Sequence, residues 1–168
     1  ITTVTGEARK RAALASRLLE LAGQTVPIFP GFEAPIEIAT RQPIAQQAVK
    51  LSLAQLLGTD QPHNPEAAID FMADTIRAHP FEVTLLAVGP FTNVARLFEK
   101  YPDVSRLLKS LVIMGGKYSD YPTPWGPSEW NGIIDPAATA LMFAKAESPV
   151  RAFGLDMTWQ VSMDAQQV

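Results

Sequence analysis

The sequence predicts an α/β fold: an open, mostly parallel sheet with helices on both faces. Three observations carry this. Short apolar or β-branched runs alternate with helical stretches of ten residues or more, the pattern of βαβ units. The runs at residues 83–88 and 111–114 are almost wholly apolar, as strands covered on both faces are. The chain has 168 residues, 47% hydrophobic and 18% charged, enough to bury one core without covalent staples. One domain over residues 1–168 follows. The first residue is not a methionine and already reads as mid-strand. The expectation is therefore a part of a longer chain.

Each element has its own reason. Ile1 to Val4 is a β-branched run ended by Gly6. Residues 7–22 are rich in Ala, Leu, Arg and Glu. Leu14, Leu18, Leu19 and Leu21 mark one apolar side, and Gly23 is a helix stop. A strand at 26–29 closes on Pro30-Gly31, and 32–41 is irregular. A second helix is expected over 43–57, with Ile44, Ala48, Leu51 and Leu56 inward and Gly58 as its end. After a polar loop, Asn64-Pro65-Glu66 is a helix start: cap, proline at the first position, acid in the first turn. That helix runs to about His79 before Pro80.

The strand at 83–88 breaks at Gly89-Pro90, and a helix follows to about Lys100. The strand at 111–114 ends at Gly115-Gly116. Residues 117–128 form a long loop with three prolines and, counting Trp130 just beyond it, four aromatic residues. Asp135-Pro136 caps a helix over 137–146, 150–155 is a strand, and 162–168 begins a further segment.

Composition removes several functions. The absence of cysteine excludes disulfides, thiol catalysis and thiolate metal sites. A net charge of −3 offers no basic field for nucleic acid or anionic lipid. No apolar run reaches the ~20 residues of a membrane span. The compartment stays open, with the cytoplasm as the default expectation.

In parallel sheets ligands bind beyond the carboxyl ends of the strands. The polar residues there are the candidates. Glu129 can accept hydrogen bonds and Asn131 can both donate and accept, which suits a polyhydroxyl ligand such as a sugar. Trp130 between them offers a ring face. The competing reading is that Glu129 and Asn131 are solvated loop residues and that Asp135 only caps a helix. Met114-Gly115-Gly116 permits a tight turn whose backbone could face a ligand. Thr92 and Asn93 read as helix-capping residues. His63 and His79 have no partners at metal-ligand spacing, and there is no P-loop, GxGxxG, HExxH or GxSxG.

Three segments in register resemble the nucleoside hydrolase family, the inosine/uridine-preferring ribohydrolases. The first, TLLAVGPFTNVA at 84–95, is similar to a strand-turn-helix ending in GPLTN-x-A. The second is LVIMGG at 111–116. The third, EWNGIIDPAA at 129–138, is similar to EFN-x-x-x-DPEAA. TTVTG at 2–6 and GLDMT at 154–158 flank them.

The resemblance implies a Rossmann-like sheet and hydrolysis of the N-glycosidic bond of ribonucleosides to ribose and free base. It implies a calcium ion at the sheet end, with the backbone carbonyl of Val88 as one ligand. Met114, Glu129, Trp130 and Asn131 would line the ribose site, Glu129 and Asn131 bonding the sugar hydroxyls. The partner would be a nucleoside or ribose, not nucleic acid or membrane, and family members are often dimers or tetramers. The family's aspartate cluster, which holds the ion and supplies the base, would precede Ile1. A later aspartate and histidine would follow Val168. Other departures are Glu7 in place of an asparagine, no HG segment within 36–47, no GN before Glu129 (Thr123 lies near that place), and Trp130 in place of a phenylalanine. The alternative is a non-catalytic nucleoside- or sugar-binding relative without the calcium site.

Overall fold

The computed structural model describes residues 1–50 and 63–164. Among the described residues five short strands, all paired in parallel, form two sheets. Strand β1 (Thr2–Thr3) pairs with β2 (Phe29–Pro30), and helix α1 (Ala8–Leu21) connects them. Helix α2 (Pro65–Ala78) leads to the second sheet, in the order β3 (Thr84–Ala87), β4 (Ser110–Met114), β5 (Val150–Phe153). Between β3 and β4 lie α3 (Thr92–Lys100) and α4 (Pro102–Leu107). Between β4 and β5 lie α5 (Trp130–Ile134) and α6 (Pro136–Lys145). A short α7 (Leu155–Thr158) follows β5. This is the α/β class the alternation implies. No helix among the described residues is long and apolar enough to cross a membrane.

The strongest local signals formed as expected. Asn64 caps α2, its side chain accepting from the Glu66 N–H at 3.2 Å, with Pro65 at the first helical position. The core is where α2, α3, α4 and α6 meet β4. Leu111 and Ile113, two residues apart on one face of β4, pack with Ile69, Ile76, Leu97, Phe98, Val104 and Met142.

Several expectations are corrected. The described part of the 43–57 helix is a single 3-10 turn, Gln46–Ala48. Ala48 is buried there but Ile44 is exposed, because Pro43-Ile44 lies outside any helical register that would turn it inward. Leu51, Leu56 and the expected stop at Gly58 lie outside the described residues, as does the end of the segment at 162–168. On α1 the buried side is Ala8 and Ala12, while Leu18 and Leu21 are exposed. Strand 83–88 is not covered on both faces: Leu86 is 61% and Val88 66% exposed. Among the described residues β3 is an edge strand of its sheet, with no strand beside it on that side. Helices α4, α5 and α7 span only 6, 5 and 4 residues, too short for periodicity to reveal them.

Phe98 sits at the centre of this core with no exposed surface. Phe98→Ala should lower the unfolding free energy by about 3–5 kcal/mol, the range for emptying a buried aromatic site. Urea denaturation followed by circular dichroism measures it.

Candidate active site

The site forms at the carboxyl ends of β3 and β4, where α5 turns back across the rim. Glu129 is the cap of α5. Its Oε1 accepts from the Asn131 N–H at 2.7 Å, and its Oε2 accepts from Gly132 at 2.9 Å and from Gly116 at 3.1 Å. The carboxylate is buried, yet three backbone donors surround it. Of its roughly four lone-pair positions one remains. It therefore fastens the turn after β4 to the start of α5.

That turn needs its glycines. Gly116 has φ +77°, and a Cβ there would fall 2.7 Å from the Tyr118 hydroxyl oxygen. A Cβ on Gly115 would fall 2.5 Å from the Phe91 ring. Burial raises the Tyr118 phenol above its ordinary pKa, and the carboxylates of Glu129 and Asp156 push the same way. Asp156, at the start of α7, accepts from the Tyr118 N–H at 3.2 Å. The Ser119 hydroxyl, followed by that N–H, holds its carboxyl below the ordinary range.

Asn131 is the hub. It is buried, and its Nδ2 donates to the Met114 carbonyl at 2.9 Å, lies 3.2 Å from the Met114 sulfur and reaches the Val88 carbonyl at 3.5 Å. One side chain thus touches two strand ends. Its Oδ1 accepts no hydrogen bond from the described residues and stays available as an acceptor. Trp130 is half exposed, and its indole N–H reaches Gln42 Oε1 at 3.4 Å. The structure so gathers Val88, Met114, Glu129, Trp130 and Asn131 at one rim, with Trp130 and Asn131 on a short helix rather than a loop.

Two cavities open there, sharing Gln42, Trp130 and Asn131. One of about 570 Å³ is bounded by Arg41, Met114, Glu129 and Trp125. The other, of about 470 Å³, runs from Asn131 and Val88 down between β1 and β3. Above the first, Trp125 meets Trp159 edge to face at 5.3 Å.

Sequence reasoning missed Arg41 and Gln42 and gave Glu7, Asn93 and Asp135 less than their full roles. Arg41 and Gln42 come from a stretch with no motif, and only the tertiary fold carries them to the rim. Glu7 steers that stretch: it accepts from the Ala45 N–H at 2.7 Å and pairs with Lys10. The Lys10 ammonium, then the Ala45 N–H, holds the Glu7 carboxyl below its ordinary range. Asn93 is more than a capping residue. Its Nδ2 donates to the Thr3 carbonyl at 2.9 Å and its Oδ1 accepts from the Phe32 N–H at 3.0 Å, tying α3 to the end of the other sheet. The signal was its place in the TLLAVGPFTNVA segment. Asp135 does cap α6, accepting from Ala138 at 3.0 Å, but also accepts from Ile36 at 3.0 Å and from the Thr92 hydroxyl at 2.7 Å.

A calcium ion takes six to eight oxygen ligands. Here the rim offers the Val88 carbonyl, while the carboxylates of Glu129, Asp135 and Asp156 already receive backbone N–H donors. Among the described residues no three acidic or imidazole side chains converge. These residues do not make a calcium site by themselves.

With the geometry in view, the comparisons give the class. The profile described as "Inosine-uridine preferring nucleoside hydrolase" matches residues 1–168, and the chain belongs to that family. An uncharacterised protein of Schizosaccharomyces pombe is 31% identical over 100% of this chain and 56% of its own length. The pyrimidine-specific ribonucleoside hydrolase RihA of Citrobacter koseri is 34% identical over 74% of this chain and 45% of its own. Among solved structures, the plant nucleoside hydrolase PpNRh1 superposes with a TM-score of 0.75 at 27% identity, covering 95% of this chain and 52% of that one. The chain spans about half the length of the relatives it matches.

Asp135→Ala should cost about 3 kcal/mol or more. An ordinary cap costs about 1 kcal/mol, and two further buried donors are orphaned at roughly 1–3 kcal/mol each. A loss near 1 kcal/mol in urea denaturation would mean that the Thr92 and Ile36 contacts contribute nothing.

Proposed function

We propose that the rim formed by Val88, Met114, Glu129, Trp130 and Asn131 is the ribose wall of a ribonucleoside N-glycosidase, which yields ribose and free base. The observation that carries this is Asn131: a buried amide, fixed by two strand-end carbonyls, with its own carbonyl oxygen left for a ligand hydroxyl. Family membership supplies the reaction class.

The chemistry fits the residues. Departure of the base builds oxocarbenium character on the sugar, and hydrogen bonds to the sugar hydroxyls that tighten as charge develops lower the barrier. Asn131 Oδ1 is the fixed acceptor for such a hydroxyl. Glu129 keeps one lone-pair position for a second and holds the Gly116 turn and α5 in place. Trp130, with Trp125 and Trp159 nearby, supplies apolar ring surface against a planar base. The Val88 carbonyl faces the same rim as one candidate ligand for calcium, the remaining donors coming from outside the described residues. RihA is named for pyrimidine nucleosides; for this protein we infer only a ribonucleoside.

A second reading has its own observation. Glu129, Asp135 and Asp156 are all engaged by backbone N–H groups, so none is placed as a free base for water. A rim with only these carboxylates would hold a nucleoside or ribose without cleaving it.

Ribose release from inosine and uridine by the whole protein, with calcium present, separates the two. The expected result is ribose release, with kcat/KM for Asn131→Ala lower by roughly 10- to 100-fold, the equivalent of about 1.5–3 kcal/mol of lost hydrogen bonding. Circular dichroism confirms that the variant is folded. No release from the parent, or an unchanged rate in the variant, overturns the hydrolase reading.

A further inference from the structure

Breaking a glycosidic bond separates charge. Positive charge grows on the sugar as the bond opens, and negative charge grows on the departing base. Fixed charges of opposite sign at those two places lower the barrier. The cavity of about 570 Å³ holds such a pair: among the described residues that line it, Glu129 is the only acid and Arg41 the only cation. Glu129 belongs to the wall assigned to the sugar. Arg41 comes from a separate segment and shares the cavity with the rings of Trp125 and Trp130. No imidazole lines it. His63 bonds the Gly31 carbonyl at 2.9 Å, and His79 stands at the end of α2.

Arg41 is exposed, but the chain that carries it is fixed. Its Nη1 donates to the Ile133 carbonyl at 3.1 Å, on the same short helix as Asn131. That uses one of the five N–H donors of a guanidinium. No carboxylate among the described residues pairs with the rest. Beside it, Gln42 accepts from the Trp130 indole N–H. Further along, Arg11 of α1 donates to the Ile44 carbonyl at 3.4 Å and to Gln47 Oε1 at 3.1 Å, and Glu7 accepts from the Ala45 N–H. Gly6 lets this segment come so close. A Cβ there would overlap the Gln42 carbonyl oxygen and the Pro43 backbone. Contacts to both α1 and α5 therefore hold a cation at the rim before any ligand arrives.

We propose that Arg41 is a catalytic residue that stabilises the departing base, a role that rests on the ribonucleoside hydrolase reading above. The C–N glycosidic bond breaks, and its electron pair stays on the base nitrogen. Delocalisation carries that charge to an exocyclic oxygen of the base, where the guanidinium N–H groups meet it. The water oxygen forms the new bond to the sugar carbon. One water proton is given up and the base anion takes one proton from solvent, so water is the only co-reactant. A guanidinium only donates and stays charged at any working pH. It therefore acts by its charge and its fork of donors, not by giving a proton. Such a group needs an acceptor on the base, so an oxopurine or a dioxopyrimidine suits it better than an aminopurine. With Glu129 at the sugar and Arg41 at the base, the cavity carries opposite charges where the transition state develops them.

Dependence of the rate on the leaving group tests this, with the whole protein and calcium present. Inosine and uridine need help to release their bases. A p-nitrophenyl riboside does not, because p-nitrophenolate is a stable anion by itself. Arg41→Ala should lower kcat/KM for inosine and uridine by about 100-fold, the usual cost of removing one donor to a developing anion. It should lose little on the p-nitrophenyl riboside, which also shows that the variant is folded and its sugar site intact. Arg41→Lys keeps the charge and loses the planar fork, so its rates on the nucleosides should fall between those of the alanine variant and the parent. An equal loss on all three substrates overturns the proposal, since Arg41 would then serve the sugar or the fold. So does an unchanged rate on inosine and uridine. Should the parent cleave the p-nitrophenyl riboside and neither nucleoside, the sugar wall survives and the role given to Arg41 falls. Cleavage of none of the three overturns both readings.

Discussion

The rim of this protein rests on one constraint: backbone N–H groups in the turns after strands and in the first turns of helices have no ladder or helix partner and must find one elsewhere. Three buried side chains meet it. Glu129 takes the amides of Gly116, Asn131 and Gly132; Asp135 takes those of Ile36 and Ala138; Asn93 takes that of Phe32. Each links segments that are far apart in the chain. The residues that line the rim are thus held by the same contacts that close the fold.

This arrangement assigns different work to neighbouring residues. Glu129 reads from the sequence as a ligand-facing acid, but most of its hydrogen-bonding capacity is turned inward, toward the peptide groups it fixes. Asn131 divides its amide: the nitrogen is spent on two strand ends, and the oxygen is left free at the cavity. Trp130 stays half exposed between the two cavities, its indole N–H reaching Gln42. Anchored polar atoms beside an adaptable aromatic surface suit a ligand with a polyhydroxyl ring and a flat base.

The edge position of β3 explains several features together. It leaves Leu86 and Val88 exposed and opens the cleft between β1 and β3 toward Leu18 on α1. Residues 83–88 have the composition of a central strand, yet among the described residues β3 lies at the edge of its sheet.

The sequence by itself determined the α/β class, the parallel sense of the strands, the long helices with strong caps at Asn64 and Asp135, and the register of three family segments. These are local properties: periodicity, capping chemistry and turn residues act within a few positions. It also named Met114, Glu129, Trp130 and Asn131, through motif and order. The tertiary structure alone decided that Asn93 ties two sheets, that Arg41 and Gln42 reach the rim, that Ile44 and Leu18 point outward, and that Glu129 is occupied by backbone donors. Each of these depends on contacts between residues remote in sequence, such as Asn93 with Phe32 and Asp135 with Ile36. Burial and hydrogen-bond partnership belong to whatever the fold brings alongside, and no local pattern encodes that.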